Sequence, residues 1–321
     1  MTKPVNREYG PENPHPLSTT RTELIWEGKY DEFGNRRDVD AAALAMPMQR
    51  IETIDQPRSE AVSAGQLALF EKNTKHMSDF RNRLVWGDNK LVLASLLAEF
   101  RGQVDLIYID PPFDVGADFT MDVPIGDDDE AVEKDQSLLE LVAFRDMWGK
   151  ETDSYLHTMF ERFSLMHELL AETGSMFVHC DWHVGYHLRA VLNELFGPGN
   201  FRNEIVWYYY NKMQGNVKRF AANHDTIFWY SKSAQYLFSP IRESRGETVQ
   251  QMKRVWDKKR KKLVNAKDDE GRVLYIESNE RTVDDVWRLS MLQPADKTEN
   301  VGYATQKPEE LIRRIIRAAS P

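Results

Sequence analysis

Asp110, Pro111, Pro112 and Phe113 follow directly on Leu106-Ile107-Tyr108-Ile109. The apolar run reads as a buried strand, and two prolines end it because neither can donate to a ladder. A carboxylate and an aromatic ring then stand at the carboxyl end of a strand, where open α/β sheets keep their ligands. The exocyclic amine of a nucleobase is a poor nucleophile, since its lone pair is delocalised into the ring. A carboxylate and a backbone carbonyl that accept its two N–H bonds favour a pyramidal nitrogen and free the lone pair. Asp110 and the Pro111 carbonyl, stiffened by Pro112, are suited to that work, and Phe113 to stacking on a base taken out of its helix. Catalysis would be positional and electrostatic, with the lone pair aimed at an electrophilic methyl group. An ordinary Pro-Pro turn beside a solvated aspartate is the plain alternative.

Other reactive residues are less persuasive. His179, Cys180, Asp181, His183 and His187 crowd one segment, and His183 and His187 would share a helical face. No paired metal-ligand signature accompanies them, so strand-end packing and capping are expected and no metal site is assigned. No nucleophile-elbow motif supports a hydrolase. Trp207, Tyr208, Tyr209 and Tyr210 offer stacking surfaces, yet strand alternation sends half of them to the core.

These residues need elements to hold them. "NRLVWGDN" reads as a short strand, "KLVLASLLAEF" as a helix, and the strand before Asp110 follows. "SYLHTMFERFSLMHELLAETG" reads as a long amphipathic helix closed by Gly174, "SMFVHCD" as a strand, and "HLRAVLNELFG" as a helix closed by Gly197. "EIVWYYY" and "DTIFWYSK" are two further strands. Near the C-terminus Pro308 suits a first helical position, with Glu309 and Glu310 in the first turn. Leu311, Ile312, Ile315 and Ile316 then form a buried stripe. This cadence predicts an α/β fold, a doubly wound and mostly parallel sheet. The expected organisation is an N-terminal extension over 1–80 with a small hairpin at Glu23–Arg37, and a core over 81–230. A basic insert over 231–282 and a return to the core over 283–321 complete it. Asp114–Ser137 is a long acidic, glycine-containing loop of a functional kind.

The chain has 321 residues and a formal charge of −9, which taken alone speaks against a generic nucleic-acid binder. The distribution is more telling. From Lys212 to Lys262 there are thirteen basic residues and four acids, a local charge of +9, so the remainder carries −18. Lys212, Lys218 and Arg219 open this span. Lys258, Lys259, Arg260, Lys261 and Lys262 form an unbroken cationic block able to follow phosphates. A solvated charged loop is the alternative. One cysteine excludes an internal disulfide. No apolar stretch approaches the roughly 18 residues of a membrane span, and no signal peptide is visible, so a cytoplasmic protein without a membrane partner is expected.

Taken in order, "RLVWGDNKLVLASLL", "VDLIYIDPPF", "GSMFVHCD", "HLRAVLNELFG", "NEIVWYY", "HDTIFWYSK" and "GYATQKPEELIRRII" resemble the amino-group DNA methyltransferases with circularly permuted motifs, the β class. The likeness is nearest to adenine-specific enzymes such as the Mod subunits of type III restriction-modification systems. It runs from about Asn82 to the C-terminus and is weaker over 200–300. The resemblance implies a Rossmann-like methyltransferase sheet, S-adenosyl-L-methionine as cofactor, and methylation of adenine N6 in double-stranded DNA by base flipping. On the matching positions it makes Asp110, Pro111 and Pro112 the amine-holding segment and Phe113 the stacking ring, where the family more often has tyrosine. It gives Asp88 a contact to the adenosyl group, against the plainer role of helix N-cap. Thr305, Gln306, Lys307 and Pro308 become the segment beside the methionine end of the cofactor, against a plain capped helix. The basic insert falls where the family places target recognition. A homodimer and a restriction (Res-type) subunit are the partners it suggests.

In one respect the pattern departs from the family. Permuted methyltransferases continue into a glycine-rich DPFxGSGT-type cofactor loop, whereas this sequence stops at Pro321 before any such loop. The expectation is therefore an N-terminal portion of a larger enzyme. N4-cytosine methylation and a non-catalytic DNA-binding or assembly subunit are the rival readings. Serine is commoner at the Asp110 position in the former, and the missing loop favours the latter. RNA and protein amine methyltransferases commonly carry asparagine there and lack a large basic insert.

Overall fold

The computed structural model describes residues 23–52, 82–112, 121–124, 131–134, 152–212, 218, 220–293, 296–303 and 305–321. Its centre is a five-stranded sheet of β1 (Val104–Ile109), β4 (Leu170–Cys180), β6 (His224–Ser231), β5 (Phe201–Tyr208) and β11 (Val286–Arg288), in that spatial order. β1 pairs parallel with β4 and β5 parallel with β11, while β6 runs antiparallel to both its neighbours. Four strands thus share one direction, and the expected mostly parallel α/β sheet is present. The reversed strand β6 begins where β4 and β5 end, because Thr226 faces Cys180 and His224 faces Tyr208.

Side-chain alternation along the strands divides the core between two faces. Met176, Val178 and Cys180 face helices α3 (Thr152–Leu169) and α4 (Gly185–Phe196), among Tyr155, Phe163, Leu188 and Leu192. Phe177, Ile227 and Trp229 face the other way, against Leu311 and Ile315 of α5 (Glu309–Ala319). Helix α2 (Asn89–Phe100) packs on α3 through Ala94, Leu97, Leu165 and Leu169. A short helix, α1 (Ala41–Leu44), precedes it. No helix of the described residues is long and apolar enough to cross a membrane.

Several sequence expectations need correction. The segment before Gly87 is no strand. Leu84 and Trp86 are exposed, and β1 takes its ladder from β4 alone, so Asn82–Trp86 has no strand to pair with among the described residues. Helix α3 ends at Leu169, and Gly174 lies inside β4 rather than at a helix cap. A Cβ at Gly174 would stand 2.9 Å from both the Val104 and Ala171 carbonyl oxygens, so glycine is what lets β1 and β4 approach there. Ile316 is exposed, and Ala318 and Ala319 complete the buried stripe of α5 with Leu311 and Ile315. The Glu23–Arg37 hairpin reduces to a single bridge between Tyr30 and Arg36, closed by Asp31, whose carboxylate accepts the Phe33 and Asn35 N–H groups.

Other expectations hold. Gly197 ends α4 at φ +81°, with its N–H donating to the Asn193 carbonyl. Trp207 and Tyr209 are buried, whereas Tyr208 and Tyr210 are exposed, the alternation a strand imposes. Within the acidic loop, β2 (Met121–Pro124) and β3 (Ala131–Lys134) pair antiparallel. The rest of that loop lies outside the described residues.

The basic stretch folds as extended arms beside the core. β7 (Arg242–Met252) pairs with β10 (Tyr275–Thr282), and β8 (Arg254–Asp257) pairs with β9 (Lys262–Asn265). Lys258–Lys261 form the turn between β8 and β9. Asp257 shapes it by accepting the Lys259 and Arg260 N–H groups, and Lys261 takes a left-handed conformation at φ 48°. All five cations of the block are exposed.

Candidate active site

Asp110 leaves β1 one residue beyond the last paired position, Ile109 beside Val178, so its neighbour across the sheet is His179. Alternation puts Tyr108, Asp110 and His179 on the face that carries α5. The Asp110 Oδ1 lies 3.1 Å from His179 Nδ1, and its Oδ2 receives the Lys307 ammonium. Lys307 also donates to the Thr305 carbonyl at 3.1 Å. On its other side, His179 Nε2 lies 3.3 Å from Asp225 Oδ2, at the start of the reversed strand. The Tyr209 hydroxyl donates to Asp225 Oδ1 at 3.2 Å, and the Tyr108 hydroxyl lies 3.1 Å from His179 Nδ1. Trp207 closes the set with its ring edge-on to the imidazole, centroids 5.6 Å apart.

His179 is fully enclosed, whereas 25% of the Asp110 side chain remains exposed. Burial alone would push the Asp110 carboxyl up, but His179 and Lys307 outweigh it and hold it below the usual carboxylate range. Burial likewise disfavours a charged His179, yet Asp110 and Asp225 more than compensate, and its pKa is raised. Burial first, and then the charge of Asp110, keeps the Tyr108 phenol neutral throughout the ordinary range.

Beside this cluster a cleft of about 620 Å³ is lined by Trp182, Trp207, Tyr209, Lys212, Asp225, Tyr303, Lys307 and others. Asp110 meets it through Lys307 and, by way of His179, through Asp225. The volume falls within the roughly 300–1,000 Å³ typical of small-ligand sites, and aromatic walls with a few convergent polar groups suit a planar ring.

The residues anticipated from sequence are only partly gathered here. Thr305, Gln306 and Lys307 line the cleft, and Pro308 is the buried N-cap of α5. Gln306 spends both ends of its amide on the loop itself, accepting from Val301 N–H and donating to the Glu299 carbonyl, each at 2.9 Å. The Glu309 N–H at the start of α5 already donates to the Glu299 carboxylate. Asp88 is the N-cap of α2, accepting from Lys90 and Leu91 N–H, with Arg162 3.7 Å away on α3. It does not line this cleft. Pro111 is buried and Pro112 half-buried, while Phe113 and Arg219 lie outside the described residues. Lys212 lines the cleft with its ammonium 5.1 Å from the Tyr209 ring centroid. Lys218 and Lys258–Lys262 stand apart from it, on the surface.

Sequence reasoning missed Asp225 and Tyr303 as members of the site, and it had Tyr209 only among four candidate stacking rings. It also placed His179 in strand-end packing, which is true of its position but omits its two carboxylate partners. Asp181 closes the turn before α4, its Oδ1 accepting the His183 N–H at 2.9 Å, while the N-cap of α4 is Val184 without a side-chain cap.

Comparison with known proteins places this geometry. The DNA methylase family, N6_N4_Mtase, matches residues 104–321. The Mod subunit of the type III restriction-modification enzyme StyLTI from Salmonella typhimurium is 30% identical over 171 residues, 52% of this chain and 26% of that protein. The chain thus spans about a quarter of that subunit. The DNA adenine methyltransferase YhdJ of Escherichia coli K12 is 25% identical over 247 residues, 74% of this chain and 67% of its own length. Among solved structures, the PvuII cytosine-N4-specific DNA methyltransferase covers 72% of this chain and 68% of its own, at 13% identity and a TM-score of 0.38. The family match begins at the first residue of β1 and runs through every element that brings Asp110, His179, Asp225 and Lys307 together, and the chain belongs to the DNA methylase family.

Proposed function

We propose that the chain carries the amine-holding site of an S-adenosyl-L-methionine-dependent DNA adenine-N6 methyltransferase, acting within a restriction-modification or stand-alone modification system. The observation that carries the reading is Asp110, held ionised at a strand end beside an aromatic-walled cleft, in a chain of the DNA methylase family. Asp110 has further lone-pair sites beyond those used by His179 and Lys307, so it can accept one N–H of an adenine amine. The Pro111 carbonyl is the acceptor for the other. Trp182, Tyr303 or Phe113 would supply the ring on which the base stacks. Adenine is favoured over cytosine by aspartate at position 110, and by likeness to a relative named as an adenine methyltransferase.

S-Adenosyl-L-methionine, when bound, supplies the electrophilic methyl group. Thr305, Lys307 and Pro308 are the residues we assign to hold it, with Gln306 shaping their loop through its two hydrogen bonds and Asp88 remaining the N-cap of α2 outside the cleft. The fit is supported by the start of α5, where the Glu309 N–H already takes a carboxylate, that of Glu299. Lys307 would orient the amine-accepting carboxylate from the cofactor side. Residues 231–282, with their exposed cationic turn, are assigned to the DNA, and likeness to Mod subunits suggests a restriction subunit as partner.

The test is transfer of a labelled methyl group by the full-length protein to double-stranded DNA, followed by digestion to nucleosides. N6-methyladenine is the expected product. N4-methylcytosine would shift the target base, and DNA binding without transfer would favour a non-catalytic subunit. Replacing Lys258–Lys262 by alanine should lower affinity for all sequences alike. It should reduce the slope of log K against log salt by up to about 4.5, since each of the five cations that neutralises a phosphate contributes roughly 0.9. An unchanged slope in a binding titration would remove this turn from the DNA interface.

A further inference from the structure

His179 takes part in no step above, yet it is the most enclosed ionisable group of the site. Each of its ring nitrogens faces a carboxylate at hydrogen-bond distance, 3.1 Å to Asp110 and 3.3 Å to Asp225. A neutral imidazole has one N–H and would turn a lone pair toward one of these anions. An imidazolium donates to both. Every packed element contributes: β1 and its next residue give Tyr108 and Asp110, β6 gives Asp225, and β5 and its next residue give Trp207 and, on Asp225, Tyr209. Asp181 follows just beyond the end of β4, and Lys307 comes in from the loop before α5. With His179 protonated, Asp110, Asp225, His179 and Lys307 would form a set of two anions and two cations. That balance is what burial of charge requires.

We propose that His179 is a positioning residue, an imidazolium clamped between Asp110 and Asp225 that fixes the orientation of the amine-accepting carboxylate and ties it to the wall of the cleft. This rests on the reading that Asp110 accepts the target amine. The clamp couples β1 to the reversed strand β6, and through Tyr209 it extends along the lining of the cleft. Without it, Asp110 keeps Lys307 alone, a long side chain that approaches from the cofactor side. Burial then acts on the carboxyl with one counter-charge fewer, so the carboxyl must titrate higher. A misplacement near 1 Å is enough to cost about 100-fold in rate.

The full-length protein with His179→Gln should lose about 10–100-fold in kcat, with KM for DNA and cofactor little changed. The acid limb of its pH profile should move upward. Asp225→Asn, which releases the clamp from its far side, should act in the same direction and less strongly. In protein labelled with ¹⁵N at histidine, the His179 signal, assigned by its loss in His179→Gln, should show both ring nitrogens protonated at neutral pH. It should titrate above the ordinary histidine value of about 6.5, and lower in Asp110→Asn and in Asp225→Asn. A folded His179→Gln protein with unchanged kcat and acid limb overturns the proposal. So does a His179 that titrates at the ordinary value and ignores both aspartate variants. Should His179→Gln fail to fold, the Asp225→Asn spectrum and pH profile decide. Should the wild type transfer no methyl group at all, the functional reading falls, while the spectra still show whether the clamp exists.

Discussion

Asp110→Asn should lower the single-turnover rate of methyl transfer by about 10²–10³-fold, the loss usual when a preorganised polar contact to the reacting group is removed. Asparagine keeps the shape and one acceptor oxygen, but it presents no negative charge to the amine, to His179 or to Lys307. Its amide nitrogen, turned toward either partner, would oppose a donor. DNA affinity should be nearly unchanged, because Lys258–Lys262 are exposed on a turn away from the cleft. Stability should fall by only about 1–2 kcal/mol, since Asp110 is partly exposed and His179 keeps Asp225. The sign of the pH dependence follows from the depressed carboxyl. Its stabilisation is fully present above the unfolded value of about 3.9 and is lost as pH falls through the lower folded value, so the gap between wild type and variant should close in acid. Rapid-quench assays and thermal melts over pH check both parts. Undiminished transfer would remove Asp110 from the reaction.

The larger loss of stability should come from Leu311→Ala, about 2–5 kcal/mol. Leu311 is fully buried on α5 and, with Ile315, keys that helix onto Phe177, Ile205 and Trp207. The neighbours are strands and large rings that collapse poorly into a void, so the cost should lie toward the upper end. A functional effect should follow, because Lys307 reaches Asp110 from the residues just before α5. A loosened helix loosens that ion pair. Denaturant titration measures the first effect and the rate of methyl transfer the second. A loss under about 1 kcal/mol would mean that α5 is not keyed to the sheet as described.

Much of this was legible in the sequence, and what was not has identifiable causes. Buried strands of continuous apolar residues, such as Met176–Val178 and Ile227–Tyr230, announce themselves by composition, and the glycine after Phe196 marks a helix end by its conformation. The reversed strand β6 could not be read, because the direction of a strand leaves no mark on a short apolar run. That reversal is what brings Asp225 to the carboxyl ends of its neighbours, so Asp225 and its link to His179 were invisible for the same reason. Gly174 was misread because a glycine after a helical pattern suggests a cap, whereas here its role is the close approach of two backbones. The Asn82–Trp86 segment has the residues of a strand but no ladder to join among the described residues. Asp88 shows the converse case, in which the plainer expectation of a helix N-cap is what the hydrogen bonds display.

The ion pair between Lys307 and Asp110 joins residues 197 positions apart along the chain. Local contacts reward a folding chain early, whereas this one demands closure of a loop of that length before it can form. As the protein leaves the ribosome, strands β1 and β4 can already pair and His179 can reach Asp110. The counter-charge from Lys307 arrives only after the basic arms have been made and α5 has docked. The Asp110 carboxylate therefore gains its second counter-charge late, and a nascent chain passes through a long interval in which the exposed cations of the β8–β9 turn exist before the Asp110–Lys307 pair does.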